Sequence, residues 1–355
     1  MAAIQDGGWR EQVRPLLRLG GPLIVNNLAV AGMQFADAVM AGRLGADALA
    51  AVAVGGSVWF LGFSFCLGLL MAISPIAARH FGAGDKALIG RYTRQGIYLG
   101  LCMGAVLILL GQFAVAPMLA AIGIDPEFRN LTVGYVGAIM FGGPGIFIFL
   151  ALRFTTEGVG HTRPIMFTSL FALVCNVFLN YVLMFGKFGA PALGVLGCGI
   201  ASAITMWLVA VALAGHMFFS RFYRPFKIFS RLAPLRSSVL REIVVLGVPI
   251  AITITAEAGL FSAVSILMGT RGTEITAAHQ IAINFSATTF MVPLALSSAT
   301  TIQVGQLIGA GKLRSARTSG AVGIGLCAFF MSLSAIFLLV FRDAVVSLYT
   351  DDEAV

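Results

Sequence analysis

The chain has 355 residues, of which 59% are hydrophobic and 11% charged. A soluble globular domain carries about 25% charged residues, so this composition, with a mean hydropathy of +0.95, excludes a soluble fold and indicates a membrane protein. The formal net charge of +8 comes from loops between apolar segments. This charge therefore indicates which loops face the cytoplasm and contact anionic lipid, and it gives no reason to predict a nucleic-acid partner.

Nine apolar segments exceed the length of about 20 residues that a helix needs to cross the hydrocarbon layer. Unpaired backbone groups cannot face lipid, and these segments are too long and too unalternating for barrel strands. We therefore predict an all-α membrane protein with nine spans. They cover residues 19–42, 48–78, 95–123, 130–152, 164–186, 193–220, 243–270, 275–311 and 318–341.

The basic residues give a predicted orientation. Eighteen Lys and Arg precede the first span or follow spans two, four, six and eight, and all 23 lie between or beside the apolar segments. Positively charged loops stay in the cytoplasm, so we predict a multi-pass membrane protein with a cytoplasmic N-terminus. The other side carries only Arg43, Arg129, Lys187, Arg271 and Arg342.

The sequence contains an internal repeat at an offset of 227 residues. This offset places Gly20 and Pro22 on Gly247 and Pro249, and residues 82–84 on 309–311. An ungapped match of this length indicates duplication, and six spans per unit predict two lobes related by a pseudo-two-fold axis along the membrane normal. The predicted organisation is an N-terminal lobe (1–220), a basic cytoplasmic linker (221–242) and a C-terminal lobe (243–355) that is incomplete, with three of its six helices.

Only two acidic residues, Asp37 and Glu257, lie well inside apolar segments. A charge near the bilayer centre costs roughly 2.5–3.5 kcal/mol on insertion scales, so such residues mark candidate binding sites. Asn176 and Asn180 share a helix face in span five, and if that face meets Asp37 the oxygens would suit a hard cation or a proton on the acid. Alternatively, the asparagines only hold helices together.

The second acid, Glu257, has no Lys or Arg at its depth, so it must be protonated, hydrated or paired with a bound cation. Gln280 and Asn284 follow one helix face in span eight beside His279, and could line a polar cavity. A hydrogen-bonded packing role for the histidine is the alternative.

Five short motifs together resemble one transporter family. They are QFADAVMAG at 34–42, EGVGHTRP at 157–164, CNVFLNY at 175–181, LGCGIAS at 196–202 and AHQIAINF at 278–285. In this order they resemble the multidrug and toxic compound extrusion (MATE) transporters, particularly the bacterial NorM-type branch. The likeness extends from about residue 17 to residue 355.

The resemblance implies a secondary active antiporter that exports organic cations and other amphipathic compounds by alternating access, in exchange for Na+ or H+. Asp37, Asn176 and Asn180 match the family's N-lobe cation site, and Glu257, His279, Gln280 and Asn284 its C-lobe cavity, with Na+ bound at either place. No cofactor is implied besides the coupling ion. The expected partners are drug-like or cationic small molecules and the bilayer, and the expected state is a monomer. The family's twelve spans imply a C-lobe that packs loosely and a chain that does not support efflux by itself.

Other functions remain open at this stage. A related two-lobed lipid or metabolite flippase would be expected to carry a basic central cavity, whereas the apolar segments contain no Lys or Arg. A carrier of the major facilitator type has only a weak signal, the basic turn after span two. An intramembrane enzyme would need paired catalytic groups on facing helices, which the sequence does not show, so we predict no enzyme. A non-transporting fragment of a carrier is the last alternative.

Overall fold

The structure is a computed structural model that describes residues 9–121, 125–230, 234–269 and 273–341. Regular structure in these ranges is helical, as expected for backbone that must satisfy its own hydrogen bonds in lipid. The helices are α1 (Trp9–Gly42), α2 (Ala46–Met71), α3 (Ile73–Ala83), α4 (Lys86–Phe113), α5 (Val115–Ala121), α6 (Pro126–Met140), α7 (Gly143–Gly158), α8 (Arg163–Phe185), α9 (Gly194–Phe219), α10 (Ser237–Gly269), α11 (Thr273–Gly309) and α12 (Leu313–Val340), with a single 3-10 turn at Arg224–Phe226.

The prediction of nine spans is confirmed within the described residues. Eight helical units are long and apolar enough to cross a membrane, α2 and α3 together forming the unit Ala46–Ala83. The ninth is the pair α6 and α7, which bends by 44° at its break. Pro144 stands at the start of α7 and lacks the N–H that would continue the helix, which accounts for the break.

Several predicted boundaries were wrong, among them both ends of the third span. The first helix begins at Trp9 instead of residue 19. The third span begins at Lys86 instead of residue 95 and ends at Phe113 instead of residue 123, before the separate short helix α5. The fourth continues to Gly158 instead of ending at residue 152. Where a helix extends beyond the predicted segment, its end carries polar residues. The apolar length of a segment measures only the part of the helix that lies in lipid, so these ends were not predicted. Arg271 and Arg342, which were predicted to lie on the less basic side of the membrane, are outside the described residues.

The helices of the second unit pack against the first in a symmetric way. Helix α1 contacts α11, and α10 contacts α2. The 227-residue offset maps α1 onto α10 and the α2–α3 unit onto α11, so each contact is the copy of the other. This exchange is what a pseudo-two-fold axis between the two units requires, and the predicted fold is confirmed. The three domain boundaries stay a prediction.

Two glycines mark where this axis passes between α3 and α11. A Cβ on Gly82 would collide with the backbone oxygen of Gln306, and a Cβ on Gly309 with that of Arg79. Both pairs are related by the same offset of 227, since residue 82 maps onto 309 and residue 79 onto 306. The two backbones therefore touch on both sides of the axis, as small residues allow in membrane helices.

We expect Gly82→Ala and Gly309→Ala each to destabilise the protein by about 1–3 kcal/mol, because the added methyl group must separate α3 from α11. Gly215→Ala in α9 is the matched control, since nothing lies within 4 Å of its Cβ position. That change should be neutral or stabilising by up to about 1 kcal/mol. Thermal unfolding of the purified variants in detergent measures the effect. Equal midpoints for all three would contradict the close approach.

The linker between the two units is fixed against α4. The guanidinium of Arg94 donates to the carbonyl oxygens of Lys227 and Ile228. Gln95, which is fully buried, donates to the carbonyl oxygen of Pro234 at 3.0 Å and accepts from the backbone N–H of Arg236 at 3.1 Å. These backbone contacts hold the segment between α9 and α10 on the same side of the molecule as the start of α4.

Candidate functional site

The structure brings Asp37 of α1 together with the two asparagines of α8. The amide nitrogen of Asn180 donates to Asp37 Oδ1 at 2.5 Å and lies 3.3 Å from Asn176 Oδ1. The side chain of Asn176 also lies next to the Asp37 carboxyl group. The four-residue spacing of the asparagines places both amides on the face of α8 that meets α1. The geometry therefore joins the two faces that the sequence alone could not connect.

This cluster is enclosed on the α8 side. Asn176 and Asn180 are 3% and 0% exposed, and Asp37 is half-buried. Tyr135 of α6 and Cys198 of α9, both buried, lie close enough to Asp37 to experience its charge.

One atom of the cluster lacks a partner. Asn180 Oδ1 is buried and accepts no hydrogen bond, and leaving a buried acceptor unpaired costs roughly 1–3 kcal/mol. A cation beside Asp37, or a protonated acid, would satisfy this oxygen. Carboxylate and amide oxygens suit a hard cation such as Na+. The described residues gather no group of three His, Cys, Asp or Glu, the side chains that hold most transition metals.

The predicted residues of the second unit lie on two helices, α10 and α11. Glu257 lies on an exposed face of α10, and Asn284 on an exposed face of α11. His279 of α11 is half-buried, and its Nε2 atom is buried without a hydrogen-bond partner. The side chain of Gln280 lies outside the described part of the chain. A shared cavity of these four residues stays a prediction.

The sequence analysis missed a buried ion pair. Arg153 Nε donates to Glu157 Oε1 at 2.7 Å within α7, and the side chains are 18% and 3% exposed. The statement that Lys and Arg lie outside the spans is therefore wrong for Arg153. The signal was available, because opposite charges four residues apart on one helix pair readily. It was overlooked because the apolar segment ended at residue 152.

The ion pair continues into α1 and α8. With the Asn26 amide oriented so that its nitrogen donates to Ser169 Oγ at 2.6 Å, its oxygen accepts from Arg153 at 3.2 Å. The neighbouring Asn27 donates to the carbonyl oxygen of Met291 in α11 at 3.3 Å. Helix α1 is therefore held by polar contacts to α7, α8 and α11 about three turns before Asp37.

Comparison with known proteins gives concordant matches. The MatE family model matches residues 22–182 and 249–355, on either side of the linker. The chain is 34% identical over 347 residues to the multidrug resistance protein NorM of Aliivibrio fischeri, covering 98% of this chain and 75% of that protein. It is 36% identical over 345 residues to the multidrug resistance protein MdtK of Photorhabdus laumondii, covering 97% and 76%.

The fold also matches a solved structure. An outward-facing multidrug resistance MATE transporter of the MOP superfamily superposes with a TM-score of 0.85 at 20% identity, over 98% of this chain and 76% of that one. At this identity the likeness concerns the fold alone.

Proposed function

Since the chain belongs to the MatE family of multidrug efflux transporters, we propose that it exports organic cations and other amphipathic compounds in exchange for inward Na+ or H+. The observation that supports this proposal is the contact of Asp37 with Asn176 and Asn180, beside the unpaired Asn180 Oδ1. This cluster offers an exchangeable negative charge surrounded by amide oxygens, which is what reversible binding of a small cation needs.

The position of Asp37 on α1 suggests how binding there is coupled to movement. Near its start, the same helix contacts α11 of the second unit through Gln12, whose side-chain oxygen accepts from Gln303 at 2.6 Å. Pro22 lies between these two points and removes one backbone hydrogen bond from the helix. A change at the carboxyl group alters how α8 holds the last part of α1, while the part from Gln12 to Asn27 remains attached to α11. Occupancy of Asp37 would in this way bias the arrangement of the two units.

We also propose a bacterial inner-membrane location, a cytoplasmic N-terminus and a monomeric state. The linker supports the orientation, because Arg221, Arg224 and Lys227 are exposed on it. Single cysteines placed at residue 221 and at residue 189, in a background without native cysteine, would be labelled from outside intact cells only at residue 189. Labelling of residue 221 alone would reverse the orientation.

Transport is tested in proteoliposomes that contain a fluorescent organic cation and carry either an imposed Na+ gradient or an imposed pH gradient. A chimaera that continues the chain with the part of the Aliivibrio relative outside the matched 75% is assayed beside it. We expect efflux from the chimaera with one of the two gradients and none without a gradient. Failure of both proteins with both gradients, or movement of a fluorescent phospholipid instead of the cation, would contradict the proposal.

A further inference from the structure

A pocket lined by one arginine and two histidines lies at the ends of two helices that are long enough to span the membrane, on the side of the linker. It has a volume of about 260 Å³, lies between the start of α8 and the end of α9, and is separate from the Asp37 cluster. Three of its lining residues are basic or titratable, and three are apolar or small. The lining consists of His161, Arg163, His216, Pro164, Phe167 and Thr168.

The charge of the pocket favours an anion. Arg163 is permanently positive, and the rings of His161 and His216 lie 6.3 Å apart between centroids. The lining contains no acidic residue, and Glu157, which precedes it on the chain, already pairs with Arg153. Burial lowers the pKa of His161, and His216 and Arg163 lower it further. Additional positive charge is therefore disfavoured here until an anion compensates it.

Residues of the linker and of α7 hold His161 in place. His161 Nδ1 lies 3.1 Å from the hydroxyl oxygen of Tyr223, which itself donates to Thr156 Oγ1 at 3.4 Å. Burial raises the pKa of Tyr223 to about 12, so this hydroxyl stays protonated and adds no negative charge. The ring of Phe222 packs 4.6 Å from the His161 ring between centroids. The linker therefore fixes one wall of the pocket.

The depth of the pocket points to a lipid as the source of the anion. Arg163 is the first residue of α8, and α9 ends at Phe219. Phe218, Phe219 and Phe222 are exposed around this end, and an exposed apolar patch at the end of a membrane-spanning helix is expected to contact lipid. A phosphate group at this depth would belong to the leaflet on the side of the linker.

An exposed apolar face of α8 extends from the pocket and could contact the acyl chains of a lipid. Phe167, Phe171, Val174 and Phe178 follow one another along α8 at steps of three or four residues, and each is between 46% and 68% exposed. Such spacing places them on one face, and that face starts at the pocket because Phe167 lines it. A free phosphate ion would make no use of this apolar surface, whereas a phospholipid would use both parts.

We propose that the pocket binds the phosphate group of an anionic phospholipid, whose acyl chains lie along the exposed face of α8. Arg163 holds the phosphate oxygens through charge-assisted hydrogen bonds, with His161 and His216 beside it. The small volume admits a headgroup phosphate, and the charge of Arg163 in a lining without acidic side chains disfavours a cationic compound.

The test is retention of phosphatidylglycerol by the purified chain after detergent exchange, measured by native mass spectrometry. We expect Arg163→Gln/His216→Gln to reduce retention by about tenfold, since charge-assisted hydrogen bonds to phosphate are lost. Arg221→Gln is the matched control, because it removes one exposed charge on the same side of the protein from a residue outside the lining. It should retain the lipid as the unchanged protein does.

Two further experiments distinguish a phospholipid from free inorganic phosphate as the bound anion. A phosphatidylglycerol with a photoreactive acyl chain should label the segment 167–178, and excess inorganic phosphate should not displace the lipid. Equal retention by the double variant and the control would overturn the proposal, as would displacement by inorganic phosphate alone. If the double variant does not fold, Arg163→Gln by itself, a change at an exposed side chain, gives the same comparison.

Discussion

Asp37→Asn should abolish gradient-driven efflux and, where Na+ is the coupling ion, weaken Na+ binding by about ten- to hundredfold, the range expected when one charge-assisted contact is removed. An amide keeps the shape of the carboxyl group but carries no charge and exchanges no proton near neutral pH. The fold should persist, because the new amide can donate to Asn180 Oδ1, which has no partner in the present structure. Efflux is measured in proteoliposomes with the chimaera, and Na+ binding with the purified chain.

Asp47→Asn is the matched control for this prediction. It makes the same chemical change at an exposed residue in the first turn of α2, away from α8. We expect wild-type efflux and binding from this control. Wild-type transport by Asp37→Asn at equal membrane abundance would show that the carboxyl group is structural. Because Na+ binding is measured on the chain alone, its loss is visible even where transport is not.

The second acid gives a parallel test. Glu257→Gln should also weaken coupled efflux if the predicted cavity of the second unit forms, since the exposed carboxylate on α10 then faces a bound cation. Loss of Na+ binding in Asp37→Asn but not in Glu257→Gln would assign the ion to the first unit.

The number of spans and the pseudo-symmetry were predictable from the sequence because both depend on length and repetition. Hydrocarbon thickness fixes the length of an apolar segment. The duplicated positions Gly82 and Gly309 are both glycine in the sequence, and both lie in the close contact between α3 and α11. The break between α6 and α7 was not predicted. It depends on the bend at Pro144, and apolarity is the same on both sides of that bend.

The candidate site was only partly predictable. Residue type and spacing selected Asp37, Asn176 and Asn180 separately, but the contact between α1 and α8 is a matter of tertiary packing that no local pattern specifies. Arg153 and Glu157 illustrate the opposite error. Their charges ended the apolar segment at residue 152, although together they are compatible with burial because each neutralises the other.

Arg153→Met should destabilise the protein by about 3–5 kcal/mol, because it leaves the carboxylate of Glu157 buried without its ion-pair partner. Glu157 is 3% exposed, so water cannot replace the guanidinium group. The amide oxygen of Asn26 would lose a donor in the same step. The free energy of unfolding, from denaturant titration in mixed micelles, measures the effect.

The double variant Arg153→Met/Glu157→Leu should recover most of this loss, since an apolar pair of similar volume often replaces a buried ion pair at little cost. Arg79→Met provides the contrast. Arg79 pairs with Glu242 at 3.2 Å, but the side chains are 52% and 34% exposed, and exposed pairs contribute about 1 kcal/mol or less. Similar losses for Arg153→Met and Arg79→Met would mean that burial does not set the strength of the α7 pair. A double variant no more stable than Arg153→Met would instead show that the charges themselves, through the contact with Asn26, hold α7 against α1.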